Sequence, residues 1–231
     1  MKKEHMGAGR QTVNRFVIYG IGILILALGI TLNTKTGLGV SALVSIAYTV
    51  AGAWNLNFAF MTFLLYTCFV IIEMLLKYIF LPKLRKGLWS DLLQIPFSLA
   101  FSLLLNLYGN VLPVAESVGM QIILLAAAVV CTGVGAAMIV DMRLIPNPAD
   151  GLAQTIGLVF GRGMGFGKNV LDCSCVGISV LIGILARGRL IGIGIGTIVA
   201  MIAVGRVVAL FNHFFEKGLR GLAGTEVLQN K

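Results

Sequence analysis

Three charged side chains, Glu73, Asp172 and Arg206, stand inside long apolar runs of this 231-residue chain. A charge in hydrocarbon is costly, so such residues usually face a bundle interior or a water-filled cavity and find partners there. Asp172 and Arg206 fall at similar expected depth and can pair. Glu73 precedes Lys77 by four positions, the spacing at which two side chains meet on one helical face. The chemistry open to this set is a gate or a proton relay. The structural alternative is an ion pair that locks helices together, or an arginine whose head reaches back to the interface.

A fourth acid belongs to a different feature. Pro146-Asn147-Pro148-Ala149-Asp150-Gly151 has the form of a helix start. Asn147 can cap it, Pro148 suits the first helical position, and Asp150 sits near the positive helix end. Asp150 can therefore select against anions by offsetting the helix dipole, or serve only the cap.

Other constellations fail on their residues. Gly161 to Lys168 is glycine-rich, but Arg162 stands where a phosphate loop needs glycine, and Asn169 where it needs Ser or Thr. His5 and His213 lack partners at metal spacing. Cys68, Cys131, Cys173 and Cys175 lie in apolar runs and read as small buried hydrophobes. No catalytic triad, paired-carboxylate or metal motif is legible, so no enzyme activity, metal or cofactor is expected.

The elements that must position these residues are membrane helices. Hydrophobic residues make up 58% of the chain and charged residues 12%, about half the usual globular share. Mean hydropathy is +0.96. The net charge of +9 would suggest nucleic acid in a soluble protein; here the basic residues sit at span ends, and no nucleic-acid partner is expected. Apolar runs predict six spans at about 16–33, 57–81, 89–109, 121–140, 167–186 and 190–213. The first is expected to be an uncleaved helix, since no convincing cleavage site precedes Thr31. Two shorter segments, 41–54 and 148–160, each follow a break.

Residues 16–109 overlay 122–215 without a gap, at a constant offset of 106. Gly29 falls on Gly135, Thr49 on Thr155, Phe60 on Phe166, Asn106 on Asn212, and Ser41 on Asn147. If both short segments are re-entrant, Lys2, Lys3, Arg10, Arg15, Lys77, Lys83, Arg85, Lys86, Arg143, Arg162, Lys168, Lys217, Arg220 and Lys231 share the side of the termini. Only Lys35, Arg187 and Arg189 then lie opposite, which obeys the positive-inside rule. If both short segments cross, giving eight spans, the Lys83–Lys86 cluster moves outside. The six-span reading is favoured; three crossings per copy invert the second copy relative to the first. The expected fold is all-α: one transmembrane domain over 1–231, built from two inverted three-helix repeats with a short broken or re-entrant helix in each. Both termini are expected in the cytoplasm.

The pattern is not that of an aquaporin, despite Asn147-Pro148-Ala149. The first copy carries Ser41-Ala42-Leu43, and the short helix follows the first span of each copy rather than the second. Gly37-Leu38-Gly39-Val40-Ser41, Pro148-Ala149-Asp150-Gly151-Leu152 and Gly192-Ile193-Gly194-Ile195-Gly196-Thr197 resemble the YczE/YitT-like integral membrane proteins of bacteria. The resemblance covers about residues 16–213 and implies a multi-pass plasma-membrane protein of poorly defined biochemical role. Members often carry a proline and an acid where this chain has Ala42, Leu43 and Val44, so a role needing an acid in both halves is in doubt.

Doubled membrane architectures often place a site where the halves meet. The leading expectation is a transporter or channel for a small molecule or ion, with substrate-binding residues Ser41, Asn147 and Asp150, and Glu73, Asp172 and Arg206 as gating or intramembrane polar groups. The alternatives are a substrate-capturing subunit of an importer and a regulatory or assembly protein without a ligand. Expected partners are the lipid bilayer and either a second copy or another membrane subunit.

Overall fold

The computed structural model describes residues 8–225. Lys2, Lys3, His5 and Lys231, invoked above, lie outside them. The described chain runs α1 (Ala8–Lys35), a 3-10 turn (Ala42–Val44), α2 (Ser45–Trp54), α3 (Phe58–Phe80), a second 3-10 segment (Pro82–Gly87), α4 (Leu88–Asp91), α5 (Gln94–Val111), α6 (Val118–Met142), α7 (Pro148–Val159), α8 (Met164–Arg187) and α9 (Ile195–Ala223). The fold is all-helical. Six of the described helices, with α4 and α5 counted as one, are long and apolar enough to cross a membrane.

The segments between them are too short for that. At 1.5 Å per residue, α2 and α7 rise only about 15 and 18 Å, roughly half the hydrocarbon thickness. Ala42 and Pro148 open the two short helical segments, and Phe58 and Met164 open the helices that follow; both pairs are 106 positions apart. The last span departs from the sequence expectation. It starts at Ile195 because Gly192 is left-handed and Gly194 fully extended, and it continues to Ala223. Gly192 and Gly196 therefore do not share a helix face: Gly192 packs on the Tyr48 ring, Gly196 on Leu38.

The most extensive interface joins α1 to α6. Room for a side chain is closed at Gly22 by Met138 and Ile139, and at Gly29 by Thr132. Partners on α6 fall in number as those on α1 rise, so the two helices run antiparallel. Small residues at these crossings let the backbones meet without an intervening side chain.

Each short helix also lies along a long helix from the other end of the sequence. On α8, α2 starts beside Ser179, whose Oγ is 2.8 Å from Ser45 Oγ, and ends beside Arg187, whose Nε donates to Ala53 O at 2.7 Å. On α3, α7 passes Tyr66 near Asn147 and Glu73 near Gly151 and Thr155. An aromatic stack of Tyr66, Phe101 and Phe97, with centroids 5.8 and 6.1 Å apart, ties α3 to α5 behind this contact.

The broken stretch after α1 is not left without partners. Val40 N donates to Gly192 O and Gly196 N to Leu38 O, both at 2.8 Å. This pairing satisfies non-helical backbone within the protein, the condition for tolerating it at membrane depth.

Candidate functional site

Asn147 and Ser41 stand at the N-termini of their short helical segments, yet neither side chain makes the expected capping bond. At α7 the first donors, Asp150 N and Gly151 N, go to the backbone oxygen of Asn147 at 2.8 and 2.9 Å. That arrangement frees the Asn147 side chain, which lies buried beside Tyr66. Neither Asn147 Oδ1 nor the Tyr66 hydroxyl meets full hydrogen-bond geometry, although the Asn147 amide stands near enough to the phenol to interact with it. A buried polar pair so weakly satisfied is costly and calls for a reason.

Position 66 corresponds to 172 under the 106 offset, and 147 to 41. Asp172 lines a small pocket together with Ser41 and Lys168, which places 172 and 41 in one neighbourhood, as 66 and 147 are in theirs. Asp172 is also buried with an unpartnered Oδ1. Its electrostatic neighbours are Lys168, one helical turn away, and Asp150. Lys168 Nζ stands 3.9 Å from Asp150 Oδ1. Ser41, Asp172 and Lys168 line one pocket and Lys168 reaches Asp150, so the four form a polar run in which the Lys168 side chain is 27% exposed.

The other expected residues part ways. Glu73, 1% exposed, is fully engaged: Lys77 Nζ lies 2.6 Å from Oε1, Gln94 Nε2 donates to Oε2 at 3.0 Å, and Thr155 Oγ1 to Oε1 at 3.4 Å. Lys77 extends the network to Asp91 at 2.9 Å. Arg206 is exposed and makes no ion pair among the described residues; the cation beside Asp172 is Lys168 instead. Depth along a helix had suggested the pairing with Arg206, but the two residues lie on helices that share no substantial contact.

A buried pair absent from the sequence expectation joins Arg220 Nη2 to Asp141 Oδ1 at 3.0 Å, with Glu216 2.6 Å from Arg220 Nη1. Asp141 lies just past the expected span 121–140, and Arg220 lies beyond the expected end of its helix at 213. Only the continuation of α6 to Met142 and of α9 to Ala223 brings them together.

Two larger cavities flank the central run. One, of about 440 Å³, is lined by Val140, Arg143, Asp150, Gln154, Met164 and Arg220 among others. The second, of about 390 Å³, is lined by Thr34, Lys35, Gly37, Tyr48, Phe58 and Val114 among others. Five residues of the first correspond to five of the second at an offset of 106: Val140 to Thr34, Arg143 to Gly37, Gln154 to Tyr48, Met164 to Phe58, and Arg220 to Val114. The first lies at the C-terminal end of α6, where Arg15 near the start of α1 donates to Met142 O and Arg143 O, both at 2.6 Å. The second lies at the C-terminal end of α1. Because α1 and α6 are antiparallel, the two cavities occupy opposite ends of the helix pair.

A family model described as "Family of unknown function (DUF6198)" matches residues 13–213. The chain belongs to this family. The DUF6198 match takes in both short helices, the Asp172 region and most of both cavities. It does not extend to Arg220. The YczE/YitT-like resemblance rests on the glycine-rich motifs alone. No curated protein and no solved structure matches the chain.

Proposed function

We propose that this protein is a small-molecule or ion transporter of the bacterial plasma membrane, built from two inverted repeats and working by alternating access. The observation that carries the reading is the pair of cavities at opposite ends of α1 and α6, lined at positions 106 apart. Two equivalent vestibules on either side of a closed polar centre are what rocking one half against the other would alternately open and shut.

The antiparallel contact of α1 with α6 supports the inversion. So does the exchange of partners between halves: α2 packs on α8 while α7 packs on α3. In this reading both termini are cytoplasmic, the Arg143 cavity opens to the cytoplasm and the Lys35 cavity to the outside, in keeping with the positive-inside rule. The substrate passes the central run of Ser41, Asn147, Tyr66, Asp150, Lys168 and Asp172. Glu73 and its partners hold α3 to α5 and α7 as a unit.

The test is flux in proteoliposomes holding the purified full chain, under gradients of protons, sodium, potassium, chloride and small neutral polar solutes. At least one gradient should dissipate faster than in protein-free vesicles, and more slowly with Asn147→Ala or Asp150→Ala. Flux indifferent to both substitutions would remove this site, and no flux under any gradient would count against transport.

A further inference from the structure

Arg206 stands exposed on α9, the span least buried by the other helices, and makes no hydrogen bond or ion pair among the described residues. Between Ile195 and Phe215 no other Asp, Glu, Lys or Arg occurs, and Arg206 lies close to the middle of that stretch. At 1.5 Å per residue the stretch spans about 30 Å, the thickness of the hydrocarbon core, with about 14 Å of helix beyond Arg206 on its shorter side. The packing agrees: Val204 and Val207 close on Gly133, itself about 14 Å of helix from the nearer end of α6. An arginine side chain is too short to carry its head from that depth to either interface, so a surround of lipid leaves the charge in hydrocarbon.

The face around Arg206 is shaped for close contact. Val199, Ala203 and Arg206, four and three positions apart, share one side of α9. Val199 and Ala203 line a groove of about 350 Å³ with Ile122, Ala126 and Val130 of α6. Gly205 has open space around it and Ala209, one turn on, is exposed, so another helix can approach closely. Lipid chains can fill such a groove but bring no counter-charge to Arg206.

A second copy brings none either. Among the described residues Glu73, Asp141, Asp150 and Asp172 are buried, Asp91 is held by Lys77 and Glu216 by Arg220, and Glu116 lies in the connection between α5 and α6. Two copies in the same orientation, meeting through this face, set Arg206 against Arg206. We infer that this face of α9, with the α6–α9 groove, docks a membrane-spanning helix of a different protein that carries an Asp or Glu near the bilayer midplane. The carboxylate and the guanidinium then compensate each other where neither is tolerated alone. The inference goes beyond the transport reading and stands without it.

The experiment places the purified full chain, donor-labelled, in liposomes with acceptor-labelled leucine-rich peptides of about 21 residues, long enough to span the bilayer. The peptides carry Glu, Leu or Lys at the midpoint, and energy transfer reports association. The Glu peptide should associate about threefold to tenfold more tightly than the Leu peptide, and the Lys peptide least of all. Arg206→Met should abolish that order, and Arg206→Glu should reverse it in favour of the Lys peptide. Both variants should fold as the parent chain does, because the side chain they replace is exposed. Equal association of the three peptides, or an order that survives Arg206→Met, overturns the inference. The occupant in cells is read with a photoreactive benzophenone side chain at Leu210, which is exposed one turn from Arg206, and sequencing of the cross-linked peptide. A membrane-spanning segment of another protein bearing Asp or Glu, captured by the parent chain and lost with Arg206→Met, supports the inference. A second copy of this chain, lipid alone, or a segment without an acid overturns it.

Discussion

Gly29 rests directly against the backbone of Thr132 where α1 crosses α6. Gly135 does the same against Leu26, and the two contacts exchange when every residue is shifted by 106. A contact that maps onto itself in this way is what the proposed two-fold relation between the halves requires. It gives the central crossing a geometry that tolerates nothing larger than hydrogen.

Gly29→Val and Gly135→Val should each destabilise the protein by about 1–3 kcal/mol or more through overpacking at a backbone contact. Gly177→Ala, at a helical position with open space around it, should leave stability unchanged or slightly improved. Thermal unfolding in nanodiscs measures all three.

Tyr66→Phe separates a functional hydroxyl from a structural one. The group is buried and only weakly engaged by the Asn147 amide, so its removal should change stability by no more than about 1 kcal/mol. In the transport reading, flux should nevertheless fall several-fold. A larger loss of stability would show that the hydroxyl serves the fold.

Glu73→Ala should cost about 3 kcal/mol, because it strips Gln94 and Thr155 of an acceptor and leaves Lys77 only Asp91. Ser179→Ala, at the corresponding position on α8, should cost about 1 kcal/mol, since the group lost is neutral. Comparable losses from the two variants, read by thermal unfolding, would contradict this assignment of Glu73.

Arg220→Met should destabilise by about 3 kcal/mol by leaving Asp141 buried and unpaired. Arg206→Met should change both stability and flux little, since that side chain is exposed and makes no ion pair among the described residues. A large effect at Arg206 would restore it to the functional set.

Much of this architecture was legible because membrane helices are marked by length and hydrophobicity, and breaks by glycine, proline and polar runs. Openings at Ala42, Pro148 and Phe58 follow from those marks, whereas α8 opens at Met164, inside the glycine-rich run and before the expected start at 167. What a linear pattern lacks is azimuth. Asp172 and Arg206 share an expected depth but not a facing direction, while Lys168, four residues before Asp172, could have been found from helical spacing. The missing cap bond of Asn147 was hidden for another reason. Sequence makes asparagine a good cap, but whether the side chain or the backbone oxygen receives the first N–H groups depends on the tertiary neighbour, here Tyr66.

The most direct test of the account is the sidedness of its two cavities. With Cys68, Cys131, Cys173 and Cys175 replaced by serine, Val140→Cys and Thr34→Cys place thiols at equivalent positions in the two vestibules. A membrane-impermeant maleimide applied to sealed vesicles of known orientation should modify Val140→Cys only from the cytoplasmic face and Thr34→Cys only from the opposite one. Modification of both from a single face would contradict the inverted, two-vestibule architecture.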